Sequence, residues 1–235
     1  MNKKSPFDED NQTIVQHVLR PKDAGTLILT RREGGETRLL MGRRHEGMAF
    51  MAGKYVFPGG RVDLADYRVP AGGELAPDVL AKVSRGIPPA RARAVALAAV
   101  RETFEETGVL VGERTDKTPR TRAGHWAKFF AHGVVPKLDA LQFVARAITP
   151  PNRTRRFDAR FFWADASAIA HMLDAHENTE LLTPCWVTFA EARALDLPSI
   201  TRTVIDEIEA RLSEGAARPV PFFRFRRNKP SIEYL

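Results

Sequence analysis

The chain has one cysteine, Cys185, so no disulfide can form within it and a structural zinc site built mainly on cysteines is excluded. Long apolar runs are missing as well. The longest, Ala94 to Val100, is 7 residues, whereas a membrane-spanning helix needs ~20. Behind Lys3 and Lys4 the residues are polar, so no secretory signal is expected there. His45, His125, His132, His171 and His176 show no paired metal-ligand spacing. No internal repeat is visible. A cytoplasmic location is the simplest expectation.

What is present suits a folded protein. Hydrophobic residues make up 43% of the 235 and charged residues 28%, which argues against global disorder. That length allows one decorated domain or two small ones. Basic residues number 36 against 29 acidic, for a net charge of +7, which favours an anionic partner without choosing one. The excess is scattered over Arg43-Arg44, Arg153 to Arg156 and Arg224 to Lys229. No basic amphipathic helix, zinc finger or RNA-binding aromatic signature accompanies it. Nucleic acid is therefore disfavoured as a partner, and each cluster alone reads as solvated surface.

Short β-rich runs alternate with helical ones, which predicts an α/β or α+β class. Thr26–Thr30 and Thr37–Met41 flank Gly34-Gly35 as a hairpin. Lys54–Phe57 reads as a strand stopped by Pro58-Gly59-Gly60, and Ala76–Ser84 as a short helix in a loop-rich stretch. Leu110-Val111, Leu141–Ile148, Phe157–Ala164 and Cys185–Thr188 are further strands, and residues 112–124 a loop. Helices are expected near Ala190–Leu195 and after Pro198-Ser199, the latter with a stripe of Ile200, Val204, Ile208 and Leu212. The segment from Arg218, with Pro219, Pro221 and Pro230, reads as irregular.

The clearest helix is Ala90 to Thr107, opened by Pro88-Pro89 and closed by Gly108. At about 100° per residue, Glu102, Glu105 and Glu106 share one face, and Leu97, Val100 and Phe104 the other, expected to pack on a sheet. Ala98 and Ala99 leave room on the acidic side for a close approach. Like charges at these spacings repel by about 0.2–0.5 kcal/mol per pair, and they face the unfavourable end of the helix dipole. A hard divalent cation such as Mg²⁺ or Mn²⁺ would offset both effects. A solvated acidic face remains the alternative on spacing alone. Gly59 and Gly60 allow backbone to approach a metal or phosphate, and Arg101 can orient a carboxylate.

Arg101-Glu102-Thr103-Phe104-Glu105-Glu106-Thr107-Gly108-Val109 resembles the second half of the Nudix hydrolase signature, with Thr103 at its first apolar position. Gly59-Gly60 matches the start. Six positions after Gly60 stands Asp66, where the signature carries Glu, and Glu74 is a rival for that place. Residues 67–93 form an insertion inside the box. With Phe50–Gly60 and Arg156–Phe162, this is similar to the branch that includes peroxisomal and bacterial coenzyme A diphosphatases, whose upstream coenzyme A motif is matched only in part.

The resemblance implies an α/β class and a Nudix α/β/α sandwich, a mixed sheet between helices, over residues 25–213. Residues 1–24 would be an arm and 214–235 a tail. It implies hydrolysis of a nucleoside diphosphate linked to another group, with coenzyme A or acyl-coenzyme A first among substrates. ADP-ribose, a dinucleotide, a nucleotide sugar or a non-catalytic binding module are the alternatives. Mg²⁺ or Mn²⁺ would be held by Gly59, Glu102, Glu105 and Glu106. Arg101 would orient a carboxylate, and Glu177 or Glu180 are loop candidates for a general base, Glu180 being taken with the catalytic set. Arg43, Arg44, Gly60, Arg155 and Arg156 are candidates for substrate phosphates. Trp163, Trp186 and Phe162 read as core residues before stacking platforms for an adenine. A homodimer is implied by family habit alone.

Overall fold

Strand β1 (Lys22–Glu33) and strand β2 (Glu36–Arg44) pair antiparallel around Gly34-Gly35, as the alternation predicts. Both glycines have positive φ, 60° and 83°, the geometry that matches a hairpin turn to the twist of its strands. The coordinates are a computed structural model that describes residues 19–47, 51–151, 153–173, 181–215, 217–227 and 229–235, with 181–183 as backbone only. Glu177 and Glu180 lie outside the described residues.

The run at Lys54–Phe57 shortens to β3 (Tyr55–Val56). The glycine segment, expected only as loop, forms β4 (Gly59–Arg61), antiparallel to β1. A 3-10 turn (Leu64–Tyr67), helix α1 (Pro77–Val83) and helix α2 (Pro89–Thr107) follow. The expected insertion does not stand off as a decoration: its Val69, Leu75, Val79 and Val83 are buried in the core beside α2.

Next come β5 (Val109–Val111), β6 (Glu113–Arg114), α3 (Gly124–Phe130) and β7 (Val134–Val135). Then β8 (Gln142–Ile148), β9 (Phe157–Asp165), β10 (Ile169–Met172) and β11 (Leu181–Thr188) lead to α4 (Phe189–Ala194) and α5 (Ser199–Glu214). The segment read as irregular instead closes the chain with β12 (Pro221–Arg226) and β13 (Lys229–Tyr234). Pro221 opens its strand and Pro230 lies in the edge strand, the two places where a missing N–H is tolerated.

The main sheet runs β11-β2-β1-β9-β8-β12-β13, with β3 on β2 and β4 on β1. It is mixed, since β1–β9 and β8–β12 are parallel. Side chains alternate between two cores. Leu27 and Leu29 face α1, α2 and α3, while Ile28 faces α4 and α5. This is the mixed sheet between helices that the resemblance implies. No helix among the described residues is long and apolar enough to cross a membrane.

Two packing expectations need correction. The stripe on α5 does not stay on one face: Val204 and Ile208 are buried, but Leu212 is 44% exposed. Steps of four residues drift by about 40° each at 100° per residue, so Leu212 has rotated out. Arg211 is buried instead, donating to the carbonyls of Arg218 and Pro219 at 3.1 and 3.0 Å. On α2 the alanine side, rather than the Leu97 side alone, meets the sheet. A Cβ on Gly25 of β1 would lie 2.2 Å from the Val95 carbonyl oxygen and 2.9 Å from the Ala99 nitrogen. The small residues make room for a strand there, and Phe104 turns to Phe129 of α3 in an edge-to-face contact at 5.4 Å.

Candidate active site

Helix α2 delivers its last turn to a cleft at the end of the sheet. Two prolines start it, alanine favours its interior, and Gly108 at φ 72° ends it with its N–H on the Phe104 carbonyl at 2.8 Å. Glu102, Glu105 and Glu106 all line the resulting cavity. β4 brings the glycine pair against them, Gly59 opposite Thr26 and Gly60 opposite Gly25. The Gly59 N–H donates to Glu106 Oε2 at 2.9 Å. A Cβ on Gly60 would lie 2.4 Å from the Glu102 carboxyl carbon, so the need for glycine here is one of space.

Arg101 organises the acids. Its Nε and Nη2 reach Asp66 at 3.0 and 3.1 Å, Nη2 also reaches the Arg61 carbonyl at 2.8 Å, and Nη1 bridges Glu102 at 2.9 Å and Glu105 at 3.3 Å. Burial disfavours the charge on Arg101, but its hydrogen bonds to Asp66 and the charges of Glu102, Asp66 and Glu105 outweigh it and raise its pKa. Asp66 is itself fully buried and accepts from Trp126 Nε1 at 2.8 Å and the Asp63 N–H at 2.8 Å. The rival acid Glu74 pairs with Arg93 at 2.7 Å, away from the cavity lining. Of the two, Asp66 is the acid that joins this cluster.

The cavity holds about 910 Å³ and is lined by charges of both signs. Besides the acids, Arg20, Lys22, Arg153, Arg155 and Arg156 line it. Arg156 donates to the carbonyls of Thr149 and Leu19, and burial lowers its pKa. Arg44 also lines the cavity, with Nη1 3.8 Å from Glu106 Oε1. Arg43 is not brought there: its Nε donates to the Gly53 carbonyl at 3.0 Å and bolsters the turn before β3.

The aromatic residues divide as core chemistry would have it. Trp163 donates to Thr30 Oγ1 at 2.9 Å, Trp186 lies under Arg31, and Phe162 is fully buried. None lines the cavity, whereas Phe57 and Phe161 do. Sequence reasoning missed His125, which lines the cavity with Nδ1 2.9 Å from Glu105 Oε1. The signal was Trp126, Phe129 and Phe130 at helical spacing, all buried, which defines α3 and so where His125 emerges.

The fit to a hard cation rests on the donor set. Three carboxylates face one cavity, and Glu105 Oε1 is buried without an aligned hydrogen bond. Oxygen donors of this kind suit Mg²⁺ or Mn²⁺. Among the described residues no three His, Cys, Asp or Glu side chains already converge on one point. Glu102 and Glu105 are drawn to Arg101 Nη1 instead, and Arg101 would keep its two bonds to Asp66 if they turned toward a cation.

No protein-family model matches the chain, and no curated protein matches it. Solved structures do. The chain is similar to a NUDIX hydrolase from Alicyclobacillus acidocaldarius at a TM-score of 0.58, with 23% identity, over 85% of this chain and 99% of that one. It is also similar to the NUDIX domain of Shewanella oneidensis NrtR, crystallised with ADP ribose, at a TM-score of 0.50 with 10% identity, over 83% and 90%. At these identities the likeness is one of fold, and the fold is that of the Nudix hydrolases.

Proposed function

We propose that the protein hydrolyses the pyrophosphate linkage of a nucleoside diphosphate derivative, with Mg²⁺ or Mn²⁺ as cofactor and coenzyme A or acyl-coenzyme A as the substrate class. The observation that carries this reading is that Glu102, Glu105 and Glu106 line one cavity together with several basic residues. A diphosphate resists attack by water because its oxygens are negative. Glu102, Glu105 and Glu106, with the Gly59 carbonyl, would hold the cation, which supplies charge neutralisation and a bound water of lowered pKa.

The chain's own residues do the positioning. Arg101, anchored on Asp66, sets the orientation of Glu102 and Glu105 through one nitrogen. The Gly59 N–H holds one oxygen of Glu106. Arg44 stands beside Glu106, where a guanidinium can grip a phosphate oxygen. Arg156 and its basic neighbours suit the rest of an anionic substrate. Water adds to one phosphorus, the bridging P–O bond breaks, and a base takes the proton. Glu180, outside the described residues, is the proposed base, with Glu177 as its rival. A third phosphate, such as coenzyme A carries on its ribose, would make use of the many cations around the cavity. A cytoplasmic homodimer belongs to this reading through the family resemblance alone.

The test is hydrolysis with Mg²⁺ or Mn²⁺ across coenzyme A, acyl-coenzyme A, ADP-ribose, NADH and nucleotide sugars, for wild type and Glu106→Gln. Turnover lost in the variant while the fold persists is the expected result. Equal turnover by both proteins refutes the catalytic assignment. ADP-ribose is the second reading, since the Shewanella oneidensis domain of the same fold was crystallised with it. Its selection over coenzyme A would replace the narrower claim.

A further inference from the structure

Glu105 has a neighbour at each of its oxygens, and the mechanism so far uses one of them. Its Oε2 accepts from Arg101 Nη1 at 3.3 Å, the longest of that guanidinium's hydrogen bonds. Its Oε1 is buried, and among the described residues no donor is aligned on it. The His125 Nδ1 stands 2.9 Å away, within hydrogen-bond range. His125 lines the cavity with a largely exposed side chain, so its ring has room to turn. A buried carboxylate oxygen without a donor is costly, which favours the turn that points Nδ1–H at Oε1.

The backbone under His125 is fixed by the same acid that fixes Arg101. Trp126, the next residue, is fully buried and donates from Nε1 to Asp66 Oδ1 at 2.8 Å. Asp66 in turn holds Arg101 through both carboxylate oxygens. Phe129, one turn further along α3, meets Phe104 of α2 edge to face at 5.4 Å. One buried acid therefore places both groups that reach Glu105: Arg101 at Oε2 and, through α3, His125 at Oε1.

We propose that His125 is a positioning residue for the cation site, whose Nδ1–H holds Glu105 Oε1 and leaves Oε2 available to Mg²⁺ or Mn²⁺. The proposal rests on reading Glu105 as a cation ligand and deepens it by naming the group that aims that ligand. A carboxylate gripped at one oxygen has less orientational freedom to lose when the other meets a cation. Arg101 cannot give this help, because releasing Oε2 ends its contact with Glu105.

Mn²⁺ titration of the full chain without substrate, read from the electron paramagnetic resonance of the free ion, tests it. His125→Ala should weaken Mn²⁺ binding about tenfold or more. His125→Asn sets an amide N–H near the position of Nδ1 and should recover most of the loss. His125→Gln, whose amide nitrogen reaches the position of Nε2, should not. Combined with Glu105→Gln, His125→Ala should add no further loss. Wild-type affinity in His125→Ala overturns the proposal, as does equal affinity of the Asn and Gln variants. A full additional loss in the double variant also overturns it, because His125 would then be a ligand in its own right. A wild type that binds no Mn²⁺ removes the cofactor reading and this proposal together. Absence of turnover in the substrate panel leaves the titration readable, so the hydrolase reading and this one fail separately.

Discussion

Asp66 and Arg101 meet in a two-point pair, Oδ1 to Nε at 3.0 Å and Oδ2 to Nη2 at 3.1 Å, across 35 positions of sequence. Both side chains are buried, and the remaining donor edge of the guanidinium faces Glu102 and Glu105. One acid thus takes over the task of neutralising Arg101 inside the protein, which leaves the other acids able to turn toward the cavity. The pair brings the two ends of the intervening residues 67–100 together.

Removing one member of this pair should be far more damaging than removing an exposed one. Asp66→Ala strands a buried guanidinium and is expected to cost about 3–5 kcal/mol. The Glu74 carboxylate is more than half exposed, so Glu74→Ala, which breaks its pair with Arg93, should cost less than about 1 kcal/mol. Denaturant unfolding of the two variants checks the ranking. Equal destabilisation would mean that Asp66 is not the anchor of Arg101.

Two glycines separate fold from function. In Gly25→Ala the new methyl would meet backbone atoms of Val95 and Ala99, at 2.2 and 2.9 Å, and a helix cannot yield locally. This variant should lose about 3 kcal/mol or fail to fold. In Gly60→Ala the obstacle is the end of the Glu102 side chain, which can swing away. Stability should change by about 1 kcal/mol or less, while diphosphate hydrolysis falls by about tenfold or more as Glu102 is displaced. Melting temperatures and turnover measured on the same samples distinguish these outcomes.

The parts legible from sequence were those whose cause is local. The Gly34-Gly35 turn and the Gly108 cap each declare themselves through one residue's freedom at positive φ. The shared face of Glu102, Glu105 and Glu106 follows from helix geometry alone. What was missed or left open depends on partners distant in sequence. Spacing from Gly60 reached Asp66 but left Glu74 as its rival, and the choice is made by which of the two the folded chain brings to Arg101. Helix α3 has seven residues and no side-chain cap, so only its buried aromatics betray it. Arg43 and Arg44 are adjacent and chemically alike, but opposite faces of β2 send one to the cavity and the other to the Gly53 carbonyl.

Acid should weaken the capping of α4. The Thr188 backbone N–H donates to Glu191 Oε2 at 2.7 Å, and the Glu191 N–H donates to Thr188 Oγ1 at 3.1 Å. The hydrogen bonds from the Thr188 backbone and side chain lower the Glu191 pKa below its ordinary 4.5, with the charge of Arg38 helping and burial opposing. A lowered folded-state value means that the carboxylate contributes stability above the ordinary range and loses it as pH falls through the folded value. The gap in unfolding midpoint between wild type and Glu191→Gln should therefore be open at neutral pH and close in acid, as pH falls through the folded-state value. A gap that persists in acid would show that the charge of Glu191 contributes nothing.

The last hairpin is structural, and its removal should be felt in the core. Phe223 of β12 is buried among Val144, Ala145, Ile205 and Ile208, and its strand pairs parallel with β8. Its backbone is placed by Arg211, which holds the carbonyls of Arg218 and Pro219 from α5. Phe223→Ala should cost about 3–5 kcal/mol, the usual price of an aromatic-sized hole. Phe225→Ala, on the outer half of the same strand, should cost less because that side chain is only partly buried. If urea unfolding found the two variants equally stable, the hairpin would be resting on the sheet without being packed into it, and a chain ending after Glu214 would melt with the full-length protein. The buried Phe223 and the grip of Arg211 argue for the opposite result, a truncated chain that melts well below it.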